Sequence, residues 1–216
     1  MNNNLKREIP LILLVLIPFL YLGYIWNSLP DKVPIHWNGD GKINGWGNKS
    51  SLIIIPLLLP FLTYLLLWIA PVIDPKKKLQ NMGDKFYQLK FWLVLIMSLM
   101  ALFILYSAKT QSLFGPDSPI ILIGLLFTII GNYMPSIKPN YFIGIRTPWT
   151  LENEMVWTKT HQLAGKLWFP AGLIVILLSL TIRDHQLMHV IFLSITAIIA
   201  LVPIVYSYII FKKSQF

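Results

Sequence analysis

The chain has no cysteine, which excludes disulfides, thiolate metal sites and a cysteine nucleophile and leaves the redox compartment open. It is also poor in charge. Only 12% of its 216 residues are Asp, Glu, Lys or Arg and 56% are hydrophobic, whereas a soluble domain carries about 25% charged residues to coat its surface. Water is therefore not its main solvent, and apolar runs recurring from end to end predict one membrane-embedded domain over residues 1–216. The charge present leans one way, to a net +9. A soluble protein with that balance would suggest nucleic acid. In a membrane protein Lys and Arg gather at the cytoplasmic edges, so no nucleic-acid partner is expected.

A helix crossing a hydrocarbon core of about 30 Å takes roughly 20 mainly apolar residues. The runs that qualify are Ile9 to Ser28, Leu52 to Ile73, Phe91 to Ser107, Pro119 to Tyr133, Leu167 to Ile182 and Val190 to Phe211. They predict an all-α, polytopic integral membrane protein of about six transmembrane helices, with a structured outer loop over 29–50, a cytoplasmic loop over 134–166 and an interfacial cytoplasmic helix within it. The first run follows Lys6 and Arg7, lacks a small-residue cleavage site and reads as a retained signal anchor. With that end inside, thirteen of the 18 Lys and Arg fall on the cytoplasmic side and only Lys32, Lys42, Lys49, Lys109 and Arg183 fall outside. This bias predicts a plasma-membrane protein with both termini cytoplasmic. None of the six runs contains Asp, Glu, Lys, Arg or His. Proton relays and ion-coupled transporters keep such groups at membrane depth, so a pump is disfavoured and any specific function falls to the loops.

The outer loop reads LPDKVPIHWNGDGKINGWGNKS, Leu29 to Ser50. Pro30 and Pro34 favour extended backbone, and Asn38, Gly39, Asp40 and Gly41 form a turn signal that folds the loop back on itself. The expected shape is a compact cap with Trp37 and Trp46 dipping toward the interface. NGDGKIN resembles the middle of an EF-hand, with Asp40 at the fifth position and Gly41 at the sixth. The register then puts His36 at position one and Gly47 where the bidentate Glu belongs, so no metal is assigned and no cofactor is expected.

The second informative stretch runs from Gly131 to Trp168. It starts in irregular backbone at Pro135 and Pro139, passes Gly144 and Arg146, and shows helix-start chemistry at Thr147, Pro148 and Thr150 with Glu152 and Glu154 following. A helix from about Trp149 to Ala164 is predicted. On it Glu154, Trp157 and His161 share one face and are placed to form a polar cluster with Arg146 or Lys159. The same pattern fits an interfacial helix with Trp149 and Trp157 in the headgroup layer and Arg146 on a lipid phosphate.

In these two stretches the chain resembles the SdpI family, membrane immunity proteins that protect bacteria from a secreted toxin peptide. The outer pattern LPDKVPIHWNGDGKINGW carries the match at Pro34, His36, Trp37, Asn38, Gly41 and Trp46. The cytoplasmic pattern carries it at Gly131, Asn132, Pro135, Asn140, Gly144, Arg146, Thr147, Pro148, Trp149, Thr150, Trp157, His161 and Gly165. The resemblance implies a six-span plasma-membrane protein whose outer residues bind a toxin peptide and whose cytoplasmic residues signal, capturing a soluble ArsR-like repressor once toxin is bound. Membrane lipids are the remaining expected partner. Two rivals stay open beside this non-enzymatic reading. One is a membrane enzyme acting on a lipid or peptide at the cytoplasmic interface, with His161 or Glu154 as general base and Arg146 as anion clamp. The other is passive transport of a small solute.

The orientation can be checked with single cysteines in this cysteine-free chain. An impermeant reagent applied to intact cells should label a cysteine at Asn44 and not one at Ser214; the reverse pattern would invert the topology.

Overall fold

The computed structural model describes residues 2–75 and 77–214, with side chains from residue 6 onward. Lys76, counted above among the cytoplasmic cations, lies outside them, as do Met1, Gln215 and Phe216 at the ends of the expected domain. Among the described residues, six helices are long and apolar enough to cross a membrane: Lys6–Ser28, Lys49–Ile73, Asp84–Thr110, Ser118–Ser136, Glu154–Thr181 and His185–Lys213. Helices suit this solvent because each satisfies its own backbone polar groups, which hydrocarbon cannot.

In chain order the elements are α1 (Asn2–Ile25), β1 (Lys32–Trp37), β2 (Ile43–Asn48), α2 (the span Lys49–Ile73), α3 (Asp84–Thr110), α4 (Ser118–Tyr133), the short α5 (Pro148–Glu152), α6 (Glu154–Thr181) and α7 (His185–Lys213). The second span is uneven. It opens as a 3-10 turn at Lys49–Ile53, passes a short α turn at Ile54–Pro56, widens to a π turn at Leu57–Phe61 and runs on as α-helix from Leu62 to Ile73. Pro56 and Pro60 lack the N–H that an α-helix needs, and a local change of helix type accommodates the lost bonds.

The chain divides into two compact units, 1–67 with 90–122 and 68–89 with 123–216. In the first, the outer loop is an antiparallel hairpin, β1 on β2, with Lys32 opposite Asn48, Pro34 opposite Trp46 and Trp37 opposite Ile43. The turn signal at Asn38–Gly41 does fold the loop back, but as strands, a local exception to the all-α expectation. Its base is set in a core of Leu22, Ile25, Leu29, Val33, Leu52, Leu105 and Ala108. Val33 is completely buried there, so the hairpin grows out of the helix packing.

The helices of this unit also start earlier than the apolar runs, and that brings charge inside. Glu8 and Lys90 sit one residue before the expected starts at Ile9 and Phe91, and their side chains pair, with Lys90 buried and its ammonium 5.6 Å from the centre of the Tyr64 ring. Ser98 ties α3 to α1 by donating to the Leu14 carbonyl at 2.9 Å.

The second unit is organised by glycine. On α4 Gly124 and Gly131, and on α6 Gly165 and Gly172, are each seven residues apart, so each pair marks one helix face. A Cβ on Gly172 would stand 2.5 Å from the Gly124 carbonyl oxygen and 2.4 Å from Thr128 Oγ1, and one on Gly131 would stand 2.2 Å from the Phe169 nitrogen. A Cβ on Gly165 would meet the Pro135 ring at 2.7 Å. The helices thus run antiparallel with their backbones in contact, the close approach that small residues permit in membrane packing. Beside this seam Phe127, Ala171 and Ile199 form a core. Trp168 fixes α7 to it by donating its indole N–H to the Ile199 carbonyl at 2.7 Å.

Gly172→Ala or Gly131→Ala should lower the melting temperature of the detergent-purified protein, because an overpacked contact costs about 1–3 kcal/mol. Gly23→Ala, on an exposed helix face with nothing within 4 Å of the new Cβ, should leave it unchanged or raise it. Equal behaviour of the three variants would remove the seam from the account.

Candidate functional site

The segment between α4 and α6 is a tightly hydrogen-bonded body. After α4 a 3-10 turn at Met134–Ser136 ends the span, and Asn140 then organises the loop from within. Its buried carboxamide accepts from the Phe142 and Ile143 N–H groups at 2.7 and 2.8 Å and donates to the Lys138 and Ile143 carbonyls at 2.8 and 3.0 Å. An Asp in this place would lose both donated bonds.

Two side chains of α6 clasp this loop. Trp157, almost wholly buried, donates its indole N–H to the Ile137 carbonyl at 2.7 Å. His161, one turn later, stacks on it with ring centroids 4.1 Å apart. His161 Nδ1 donates to the Trp157 carbonyl at 2.8 Å, and its Nε2 accepts from the Ile145 N–H at 3.0 Å. The ring is thereby assigned as the neutral Nδ1–H tautomer, with both nitrogens engaged. Gly144 makes the fit possible. Its φ is +110°, and a Cβ there would stand 2.4 Å from His161 Nε2. Only glycine meets both conditions.

Beyond the clasp, Thr147 and Thr150 close a reciprocal cap on α5: Thr150 N–H donates to Thr147 Oγ1 at 3.2 Å and Thr147 N–H to Thr150 Oγ1 at 2.9 Å. Pro148 takes the first helical position, where no N–H is needed. The Thr147 hydroxyl also shares a 3.2 Å hydrogen bond with Ser207 of α7, and Trp149 lies against Tyr208 with centroids 5.1 Å apart.

The expected helix from Trp149 to Ala164 is therefore divided. Asn153, extended at φ −129°, breaks it and caps α6 by accepting from the Met155 and Val156 N–H groups, and α6 then runs unbroken through the fifth span to Thr181. The expected polar cluster also comes apart. Trp157 and His161 point into the loop, whereas Glu154 is exposed and pairs with Lys78 at 3.0 Å. Arg146 is exposed and donates to the Tyr141 carbonyl. Shared helical spacing placed these groups on one face, but a close-packed loop over part of that face decided which of them were buried. Asn132 and Pro135 are exposed at the end of α4, where the Pro135 ring faces Gly165.

The outer residues form a second constellation. Asn38 closes the hairpin: its Oδ1 accepts from the Asp40 and Lys42 N–H groups at 3.1 and 2.9 Å. Gly41, at φ +74°, lies against Pro116 in the α3–α4 connection, where a Cβ would meet the proline ring at 3.1 Å. His36 hydrogen-bonds Asn44 across the strands, and Gly45 gives it room, since a Cβ there would come within 2.8 Å of His36 Cβ. Pro34 is buried and Trp37 half-buried, while Trp46 and Ile35 are about half exposed, at 51% and 52%. Among the described residues no group of three or more His, Cys, Asp or Glu is placed to hold a metal ion. The residues that the loop motifs did not supply are Ser207 and Tyr208. They lie in a mainly apolar helix and become legible only through the contacts of Thr147 and Trp149.

Comparison with known proteins found likenesses in sequence over both constellations. Residues 136–207, which hold the clasp, the cap and both helices behind them, match the SdpI/YfhL protein family. Residues 13–59, which hold the second half of α1 and the hairpin, match a domain of unknown function (DUF1648). Over 97% of its length the chain is 27% identical to the protein named Immunity protein SdpI of Bacillus subtilis (strain 168), covering 98% of that protein. No solved structure matches. The resemblance read from the two loops is thus borne out over nearly the whole chain.

The clasp makes a specific prediction. His161→Ala leaves the part-buried Ile145 N–H without its acceptor and should cost about 1–3 kcal/mol. Gly144→Ala should cost at least as much, and the double variant should fall short of the sum, because both substitutions disrupt one contact. Additive losses in melting experiments would show that the residues act independently.

Proposed function

We propose, from its likeness to the SdpI family, that this chain is a plasma-membrane immunity protein that protects the cell carrying it from a secreted toxic peptide. The carrying observation is the hairpin. It is a two-stranded platform, rooted by Val33 in the helix core, that presents Trp46 and Ile35 to the surroundings. Exposed aromatic and aliphatic anchors on a preorganised support suit an amphipathic peptide, which brings a matching apolar face. In this reading the hairpin faces outward, both termini and the clasped loop face the cytoplasm, and the Lys and Arg asymmetry supports that orientation.

The cytoplasmic end then serves signalling. The segment from Asn140 to Trp149 is held as one body on α6 and α7, with Arg146 exposed on it. A soluble repressor of the ArsR type is its proposed partner. The planar fork of Arg146 can bind a carboxylate on such a partner bidentately. Peptide binding changes repressor affinity only where the two helix arrangements bind the peptide unequally. The enzyme reading loses support in the same place: a general base needs a free nitrogen, and both ring nitrogens of His161 are committed to backbone groups.

Trp46→Ala should leave abundance and melting temperature unchanged while lowering protection of peptide-challenged cells and peptide affinity at least ten-fold, the effect of losing an anchor of about 2 kcal/mol. Undiminished protection and binding would take the hairpin out of the function. Mass spectrometry of lipid and peptide incubated with the parent protein tests the rival: a product that forms with the parent and not with His161→Ala would establish an enzyme.

A further inference from the structure

We propose that the groove between α6 and α7 is a binding site for the phosphate headgroup of an anionic phospholipid. Lys159, Gln162, Leu163 and Lys166 occupy positions i, i+3, i+4 and i+7 of α6, a single stripe of the helix, and with Tyr206 of α7 they line a cavity of about 220 Å³. The two lysines are about 10 Å apart along the axis at 1.5 Å per residue, so they bracket the cavity from its two ends. Between them stand the Gln162 carboxamide and the Tyr206 hydroxyl, both able to donate to an oxyanion.

The charge balance calls for such an anion. Among the described residues neither lysine has an ion-pair partner, α7 contains no Asp or Glu, and the only carboxylate of α6, Glu154, is taken by Lys78. The neighbourhood selects a lipid over a soluble anion. Below Lys166 the same face of α6 continues as Phe169, Leu173 and Leu177, all exposed, and below Tyr206 the face of α7 continues as Val202 and Ile198, also exposed. A polar, doubly cationic cavity opening onto an apolar strip has the layout of a phospholipid, headgroup above and acyl chains below. Arg146 and the clasped loop take no part in it.

The test uses the full-length chain purified in detergent, with phosphatidylglycerol, phosphatidylcholine and inorganic phosphate as probes, read by native mass spectrometry and by melting temperature. The parent should retain phosphatidylglycerol about ten-fold better than phosphatidylcholine and be stabilised by it. Lys159→Gln with Lys166→Gln should abolish that preference. Lys212→Gln with Lys213→Gln, which removes the same charge from the exposed end of α7, should keep it. Tyr206→Phe leaves both lysines in place and should weaken retention about three-fold, so the site remains testable if the double variant folds poorly. A preference that survives the first pair of substitutions, or that falls equally with the second, overturns the proposal. Stabilisation of the parent by inorganic phosphate equal to that by phosphatidylglycerol, and lost in the Lys159 and Lys166 variant, would assign the cavity to a soluble oxyanion and overturn the lipid.

Discussion

The contact of α4 with α6 through Gly124, Gly131, Gly165 and Gly172 is the constraint on which the second unit depends. In a bilayer no hydrophobic force drives helices together, since lipid tails are as apolar as leucine, and close packing of backbones must supply the attraction. Four glycines let the helices approach until a single methyl group would collide with main-chain atoms. That approach carries Met134–Ser136 to the flank of α6 and leaves the following loop no path except across Trp157 and His161. The clasp is a consequence of the seam, and Gly144 is the last small residue in the same sequence of close approaches.

The hairpin unit uses a different device. Its strands are short, six residues each, and a two-stranded sheet is marginal on its own in water. It persists because it is held from outside: Val33 and Pro34 are buried on opposite sides of its base, Gly41 rests on Pro116, and Lys49 binds Asp31 through both main chain and side chain, at 2.9 and 3.4 Å. The Asn38 turn sets the register, and the register decides that Trp46 and Ile35 stay exposed. Turn chemistry at four residues therefore determines which aromatic surface is displayed.

The six spans were legible in the sequence because hydrocarbon imposes a length and a composition that nothing else in the chain imitates. The turn at Asn38–Gly41 was legible for a similar reason, since few residue types tolerate its backbone. The ends of the spans were not: Glu8 and Lys90 read as flanking charges, whereas both lie inside helices and pair with each other beside the Tyr64 ring. Helical spacing grouped Glu154 with Trp157 and His161, and the structure separates them, because spacing is blind to what covers a face. Gly144 and Gly165 showed as residues of a family pattern, without the physical reason, which lies in an imidazole and a proline ring brought near from elsewhere in the chain. Ser207 gave no signal at all, because a serine hydroxyl in a mainly apolar helix costs little while it bonds its own turn, as it does at the Ile204 carbonyl and as Ser194 does at Val190.

These arrangements bear on how a membrane protein with nearly uncharged spans can transmit a change. The clasped loop has no internal freedom to spend: Asn140 uses its carboxamide four times, His161 uses both nitrogens, and Thr147 and Thr150 use each other. A body so interlocked does not deform by degrees; it moves whole or separates. Its ties to α7 are the Thr147 to Ser207 hydrogen bond and the Trp149 contact with Tyr208, and Lys138 adds one to the Asn81 carbonyl at 3.3 Å. The ties to α7 are weak beside the clasp, a single hydroxyl pair and a tilted ring contact, so a displacement of α7 against α6 would break them first and leave the loop riding on α6. The same two helices line the cationic cavity at Lys159 and Lys166, so their mutual position sets both the loop's contacts and the shape of that cavity.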